Sequence, residues 1–138
     1  MYNKGNALDN LNKSDEAINA YDKAIELNPK NSHALYNKGN ALEKLNKSDE
    51  AIKAYDKAIE LNPHNSDAWS NKGVALAHLG KFNEEIKAYE KAIELNPQDS
   101  AAWYNKTSAL NKLNKSDEAI KAYNKAIEIS PQLKNLPQ

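Results

Sequence analysis

The chain has 138 residues, and its 19 Lys and Arg are balanced by 19 Asp and Glu, giving a formal net charge of zero. That length suits one domain with a continuous core, while the charge balance supplies neither the basic stripe that nucleic acid requires nor a basic amphipathic helix for a membrane surface. There is no cysteine, which excludes disulfides, thiolate metal sites and cysteine nucleophiles.

The opening residues, MYNKGNALDN, hold no apolar segment of the kind a secretory signal needs. No apolar run in the chain reaches bilayer-spanning length, so a cytoplasmic module is expected. From residue 12 onward one block recurs: NKSDEAINAYDKAIELNP at 12–29, NKSDEAIKAYDKAIELNP at 46–63 and NKSDEAIKAYNKAIEISP at 114–131, with the divergent GKFNEEIKAYEKAIELNP at 80–97. The starts are 34 residues apart throughout. A fixed period of this size denotes a stacked supersecondary unit, each copy depending on its neighbours to cover its apolar face. Repeats are placed at about 1–31, 32–65, 66–99 and 100–133, with a short tail at 134–138 that lacks a capping helix. The chain begins inside a repeat, so it reads as a piece of something longer.

Each repeat divides into two helices. In 32–65, Ala34, Leu35, Lys38, Ala41, Leu42 and Leu45 recur at helical spacing, as do Ala51, Ile52, Tyr55, Ala58 and Ile59. Both sets have the 3.6-residue period, and neither alternates like a strand. The spacing predicts helix pairs at 2–11 with 14–28, 33–45 with 48–62, 67–79 with 82–96, and 101–113 with 116–130. Asn12, Asn46, Gly80 and Asn114 follow the first helices, where a left-handed residue is wanted and Gly and Asn tolerate it best. Asp49 and Glu50 complement the dipole of the next helix, and Asn62 before Pro63 ends it. Ser32, Ser66 and Ser100 are the expected N-caps. Short turns make the paired helices antiparallel neighbours, with Gly5, Gly39 and Gly73 expected opposite Ala17, Ala51 and Glu85.

These residues resemble the tetratricopeptide repeat, whose signature combines Trp, Leu-Gly, Tyr, Ala, Phe and Pro at fixed spacing. Trp69, Gly73, Leu76, Tyr89 and Pro97 carry it in one copy; Leu35, Gly39, Leu42, Ala51, Tyr55, Ala58 and Pro63 carry it in another. Trp103, Leu110, Ala119, Tyr123, Ala126 and Pro131 carry the last, and Gly5, Leu8, Ala17, Tyr21, Ala24 and Pro29 the first. Three departures stand out. Lys4, Lys38, Lys72 and Lys106 replace an apolar residue, their stems lying along the core while the ammonium reaches water. Glu85 replaces a small residue and needs a partner such as Lys72 if it is buried. Thr107 replaces a glycine and should push its two helices slightly apart.

The resemblance implies an all-α fold, a right-handed superhelical solenoid of antiparallel helix pairs, whose first helices line a concave face that binds extended peptides or a partner's helix. On that face it puts Tyr2, Asn3 and Asn6; Tyr36, Asn37 and Asn40; Ser70, Asn71 and Val74; and Tyr104, Asn105 and Ser108, with a further row of Asn10, Lys44, His78 and Lys112. Asn carries both a donor and an acceptor for a peptide group, and Tyr a rigid surface with a polar tip. Family members that grip chaperone C-terminal carboxylates use, in order, a cation, two asparagines and two cations at places held here by Tyr2, Asn6, Asn37, Asp67 and Asn71, or by Tyr36, Asn40, Asn71, Ala101 and Asn105. The asparagines match and the cations are missing, so a chaperone-tail receptor is not expected.

The remaining signals are weak. His33, His64 and His78 lack the spacing of metal ligands, so no metal and no cofactor are expected. Four scattered glycines form no phosphate-cradling loop. The carboxylates Glu50, Asp56 and Glu60 are expected to pair with Lys53 and Lys57 along the outer helix rather than do acid–base work. Asn12, Asn46, Asn105 and Asn114 begin formal glycosylation acceptors, but turn geometry accounts for three of them. At the far end, Ile120, Tyr123 and Ile127 should stay partly uncovered, and each open apolar side chain forgoes about 1.5–3 kcal/mol of burial. A homo-oligomer formed by end-to-end stacking or by helix-pair exchange is therefore expected. The sequence as a whole points to a non-enzymatic protein-interaction module. Its alternative is a structural or self-associating scaffold, consensus-like or cut from a larger protein, with no specific client.

Overall fold

In the computed structural model, residues 13–135 are described. The expected helix at 2–11, the turn at Asn12, and Tyr2, Asn3 and Asn6 with it, lie outside the described residues. Seven α-helices follow in order among those described: α1 Ser14–Leu27, α2 Ser32–Lys44, α3 Ser48–Leu61, α4 Ser66–His78, α5 Phe82–Leu95, α6 Ser100–Lys112 and α7 Ser116–Ile129. A 3₁₀ turn, Pro131–Asn135, comes last, so residues 134 and 135 of the tail belong to it. No strand occurs among the described residues. Each helix packs on the one before and the one after it, and α2 also touches α4 directly. Hairpins α2–α3, α4–α5 and α6–α7 thus stack in a row, with α1 ahead of them.

The first-helix starts differ from expectation by one residue. The N-caps are Asn31, Asn65 and Asp99, whose side-chain oxygens accept from the backbone N–H of Ala34, Ala68 and Ala102 at 3.0, 3.0 and 3.1 Å. Asn and Asp cap at least as well as Ser, and here they sit one position earlier, so Ser32, Ser66 and Ser100 become the first helical residues. The opposite ends match the reading: Asn46, Gly80 and Asn114 have φ of 60°, 72° and 59°. Lys47 N–H donates to the Leu42 carbonyl and Asn46 N–H to that of Glu43, and the pattern recurs after α4 and α6. This is the paired 6→1 and 5→2 closure that a left-handed residue permits. The chain thereby reverses within a few residues at each of these turns.

The core is built from alanines and one tyrosine per repeat. Tyr21, Tyr55 and Tyr89 are fully buried, the first two roofed by the following first helix. Ala41 packs on Tyr21 and Ala75 on Tyr55. The glycines explain how the rings fit, and correct the pairing expected from sequence. A Cβ on Gly39 would lie 2.5 Å from the Tyr55 ring, and one on Gly73 would overlap that of Tyr89. The glycine thus makes room for the partner helix's tyrosine, one turn beyond Ala51 or Glu85. At Thr107 the slot is filled: its hydroxyl donates to the Trp103 carbonyl at 3.1 Å, and Tyr123, its tyrosine, is only half-buried.

Gly39→Ala tests this reading of the slot. Alanine favours a helix over glycine by about 1 kcal/mol, but forcing a methyl into a filled site costs about 1–3 kcal/mol. Tyr55, 1% exposed beneath α4, has nowhere to retreat. The variant is expected to unfold at lower denaturant concentration than the parent; a gain in stability would mean that the ring moves freely.

Candidate peptide-binding face

The first helices α2, α4 and α6 turn their Ala/Leu sides inward, leaving Tyr36, Asn37, Asn40, Ser70, Asn71, Val74, Tyr104 and Asn105 half-buried and Ser108 exposed. Where α2 meets α4 these side chains bond to one another. The Asn71 amide donates to the Tyr36 hydroxyl at 2.9 Å and to Asn40 Oδ1 at 3.0 Å, and the Tyr55 hydroxyl donates to the same Oδ1 at 2.6 Å. The Tyr36 and Tyr55 rings also pack at a tilt of 48°, centroids 6.1 Å apart. The asparagine ladder is therefore a seam between repeats here, rather than a row of open amides. The Nδ2 of Asn37 is buried and has no hydrogen-bond partner among the described residues.

A hollow of about 330 Å³ opens along this seam, lined by Asn40, Glu43, Lys44, Tyr55, Asn71 and Val74. Glu43 and Tyr55 were not singled out from sequence: Tyr55 reads as core, and Glu43 resembles any outward helix glutamate. Glu43 is in fact fixed twice, accepting from the Ser48 hydroxyl at 2.5 Å and pairing with His78 Nδ1 at 2.7 Å. His78 thus has a carboxylate partner in the preceding repeat. Burial, reinforced by Glu43 and Tyr36, raises the Tyr55 hydroxyl far above the usual phenol range, so it acts only as a neutral donor and acceptor.

The third repeat breaks the pattern in two linked places. Val74 stands where Asn40 does, so Tyr89 loses the acceptor that Tyr55 has. Glu85, in place of Ala51, supplies one from the same helix, and the Tyr89 hydroxyl donates to it. The exchange is uneven: Glu85 is 2% exposed, and its Oε1 is buried with no hydrogen-bond partner among the described residues. Lys72 does not answer it, contrary to expectation, because its ammonium is 2.7 Å from Asp56. Desolvation therefore raises the Glu85 carboxyl above its ordinary value of 4.5, opposed by Tyr89 and, more weakly, by Lys112 and His78.

Ser70 and Val74 have a second effect. Asn105 of α6 finds a serine and a valine where Asn71 finds a tyrosine and an asparagine. Ser70 turns instead toward Asp99, at 3.4 Å, and Tyr104 packs on Tyr123 at 6.5 Å. The seam between α4 and α6 consequently has smaller side chains than the one between α2 and α4.

The opposite face carries the lysines that depart from the repeat signature. Their stems lie partly buried as expected, and each ammonium meets an acid of the preceding second helix: Lys38–Asp22 at 2.7 Å, Lys72–Asp56 at 2.7 Å and Lys106–Glu90 at 3.3 Å. Lys72 and Lys106 also cover the rings of Trp69 and Trp103. Asp56 therefore pairs across repeats rather than with Lys53 or Lys57. Pairs within one helix occur elsewhere, Lys91–Glu94 and Lys125–Glu128. At the far end, Ile120 is exposed and Tyr123 and Ile127 are half-buried. Among the described residues no three His, Asp or Glu side chains converge as a metal site would need, and no helix is long and apolar enough to cross a membrane.

Comparison with known proteins fits this architecture. The pattern defining the Tetratricopeptide repeat matches residues 2–60 and 36–100, and a second pattern of the same description matches residues 88–121. The chain belongs to the tetratricopeptide-repeat family, whose members are protein-interaction modules. Its fold is that family's right-handed superhelical solenoid of antiparallel helix pairs. No curated protein matches the chain significantly. Among solved structures it is similar to the crystal structure of MamA, 28% identical over 92% of this chain and 74% of that one, with a TM-score of 0.88. MamA 41-end from Desulfovibrio magneticus RS-1 shares the fold at 24% identity, TM-score 0.88, over 95% of this chain and 74% of that one. The first TPR of Spaghetti (RPAP3), bound to the HSP90 peptide SRMEEVD, is 31% identical over 82% of this chain and 90% of that one, TM-score 0.80.

Glu85 yields a prediction with a definite sign. Its folded value lies above the unfolded one, so its stabilising contribution is complete below about pH 4.5 and is lost as pH rises through the raised value. Glu85→Gln keeps the shape and removes the charge, and is expected to exceed the parent at pH 7 by about 1 kcal/mol or more. Denaturant melts of both proteins should show this gap shrinking toward pH 4. A gap that widens on acidification would contradict the assignment.

Proposed function

We propose that the chain is a non-enzymatic module that captures an extended segment of a partner protein along the concave face, with the α4–α6 seam as its main contact strip. The observation that carries this reading is the inequality of the two seams. Asn71 spends its amide on Tyr36 and Asn40, which makes that stretch a wall. Asn105 has no such partners, and its donor and acceptor can meet a peptide group between Ser70, Val74, Tyr104 and Ser108. The α2–α4 hollow, lined in part by Asn40, with Tyr36 and Asn37 on the same helix, gives the segment a place to continue, and the proposed strip includes Tyr2, Asn3 and Asn6 of the first repeat.

The ligand is not an acidic C-terminal tail. The Spaghetti (RPAP3) module binds the peptide SRMEEVD, but here exposed Asp67 and Ala101 occupy places where carboxylate-gripping relatives of that kind carry cations. A peptide without a terminal carboxylate cluster, read through its backbone, fits these side chains better. We assign no cofactor, metal, nucleic acid or membrane to the module, and place its work in the cytoplasm, which suits a chain without cysteine.

One observation favours a second reading. The self-satisfied Tyr36–Asn40–Asn71–Tyr55 group is what an unspecialised scaffold needs, since it closes the seam without a client. A peptide array probed with the parent, Asn71→Ala and Asn105→Ala separates the two. The interaction-module reading expects saturable binding that Asn105→Ala weakens by about 1 kcal/mol, roughly fivefold in Kd. Asn71→Ala chiefly lowers thermal stability. Binding at background level for all three proteins would leave the scaffold.

A further inference from the structure

The exposed side of α7 is the same surface that the inner second helices bury. Residues 116–129 repeat 48–61 except for Asn124 in place of Asp56 and Ile129 in place of Leu61. On α5, Ile86 is 8% exposed, covered by Ala109 and Leu110 of the following first helix. Its counterpart Ile120 is 58% exposed. The stack therefore shows what fits this surface: a first helix bearing alanine at the position of Ala41, Ala75 and Ala109. That sequence recurs at residues 1–11, which reproduce 35–45 except at Met1, Asp9 and Asn10. We infer that the open face of α7 receives the leading segment of a second copy of this chain, so that copies join head to tail.

One polar difference sets the strength of the joint. Lys38, Lys72 and Lys106 each meet an acid of the preceding second helix, whereas α7 carries the uncharged Asn124 at the position of Asp22, Asp56 and Glu90. The joint thus keeps the shape of an inner seam and loses its ion pair, which makes it weaker than the contacts within a chain. The contact is also heterologous, with different surfaces on the two sides, so a pair of copies leaves one surface of each kind open for further copies.

The test is sedimentation or light scattering of the full chain and two variants, each altering a surface that the other leaves intact. The weight-average mass of the parent should climb with concentration beyond a dimer. Ile120→Lys blocks the trailing face and Ala7→Arg the leading one, and each alone should stay monomeric while keeping the parent's helical circular dichroism. Mixed together they should form a dimer and stop there, because each retains the surface that the other lacks. A parent that remains monomeric at every concentration would overturn the inference. So would a dimer of Ala7→Arg alone, which denotes α7 packing on α7, or assembly surviving Ile120→Lys, which denotes exchange of helix pairs.

Discussion

The tyrosine ring set into a glycine slot is the contact on which the array depends. In two repeats the ring lies where a Cβ would have to be, so the two helices of a hairpin meet with almost nothing between backbone and aromatic face. The ring needs a lid, and only the next first helix provides it, through alanines such as Ala41 and Ala75. One hairpin therefore cannot complete its own interior, which is why stacking is obligatory in this architecture. The last tyrosine shows the converse: with Thr107 in the slot and no following repeat among the described residues, Tyr123 is only half-buried.

Much of this was legible in the sequence because it is local and periodic. Helix identity, the left-handed Asn46, Gly80 and Asn114, and the proline-terminated second helices follow from spacing and backbone preference within a few residues. The N-caps slipped by one position because Asn31 and Ser32 are both good caps and adjacent. Contacts across repeats were harder. Lys72 could have answered Glu85 or Asp56, and only the stagger of successive helices decides for Asp56. The tyrosine opposite Gly39 was hidden for a similar reason, since a signature shows which positions matter and not which of them touch.

The candidate site was legible as a set of residues but not as chemistry. Asn40 and Asn71 were recognisable as inward polar positions, yet their mutual bond, which consumes the donors, depends on the separation of α2 and α4. Conversely, the sequence presents Val74 as one of the concave-face residues and Glu85 as a separate departure from the repeat signature. The structure makes them a single event, because one removes the acceptor for a buried hydroxyl and the other supplies it. Any functional individuality of this chain lies in such departures, since a surface repeated without change presents the same chemistry at every step.

The pairs that cross repeats differ from those inside one in how they respond to gene duplication. The repeats at 32–65 and 66–99 each carry the acid for the successor and the lysine for the predecessor, so duplicating or deleting either unit regenerates the ion pair at the new junction. Val74 with Glu85 travels equally well, both halves being on one hairpin. Asn71 does not, because its acceptors Tyr36 and Asn40 belong to the preceding copy. Shuffling these units would leave the outer ionic rail intact while rewriting the inner polar lining, and array length and binding specificity could then evolve on separate tracks.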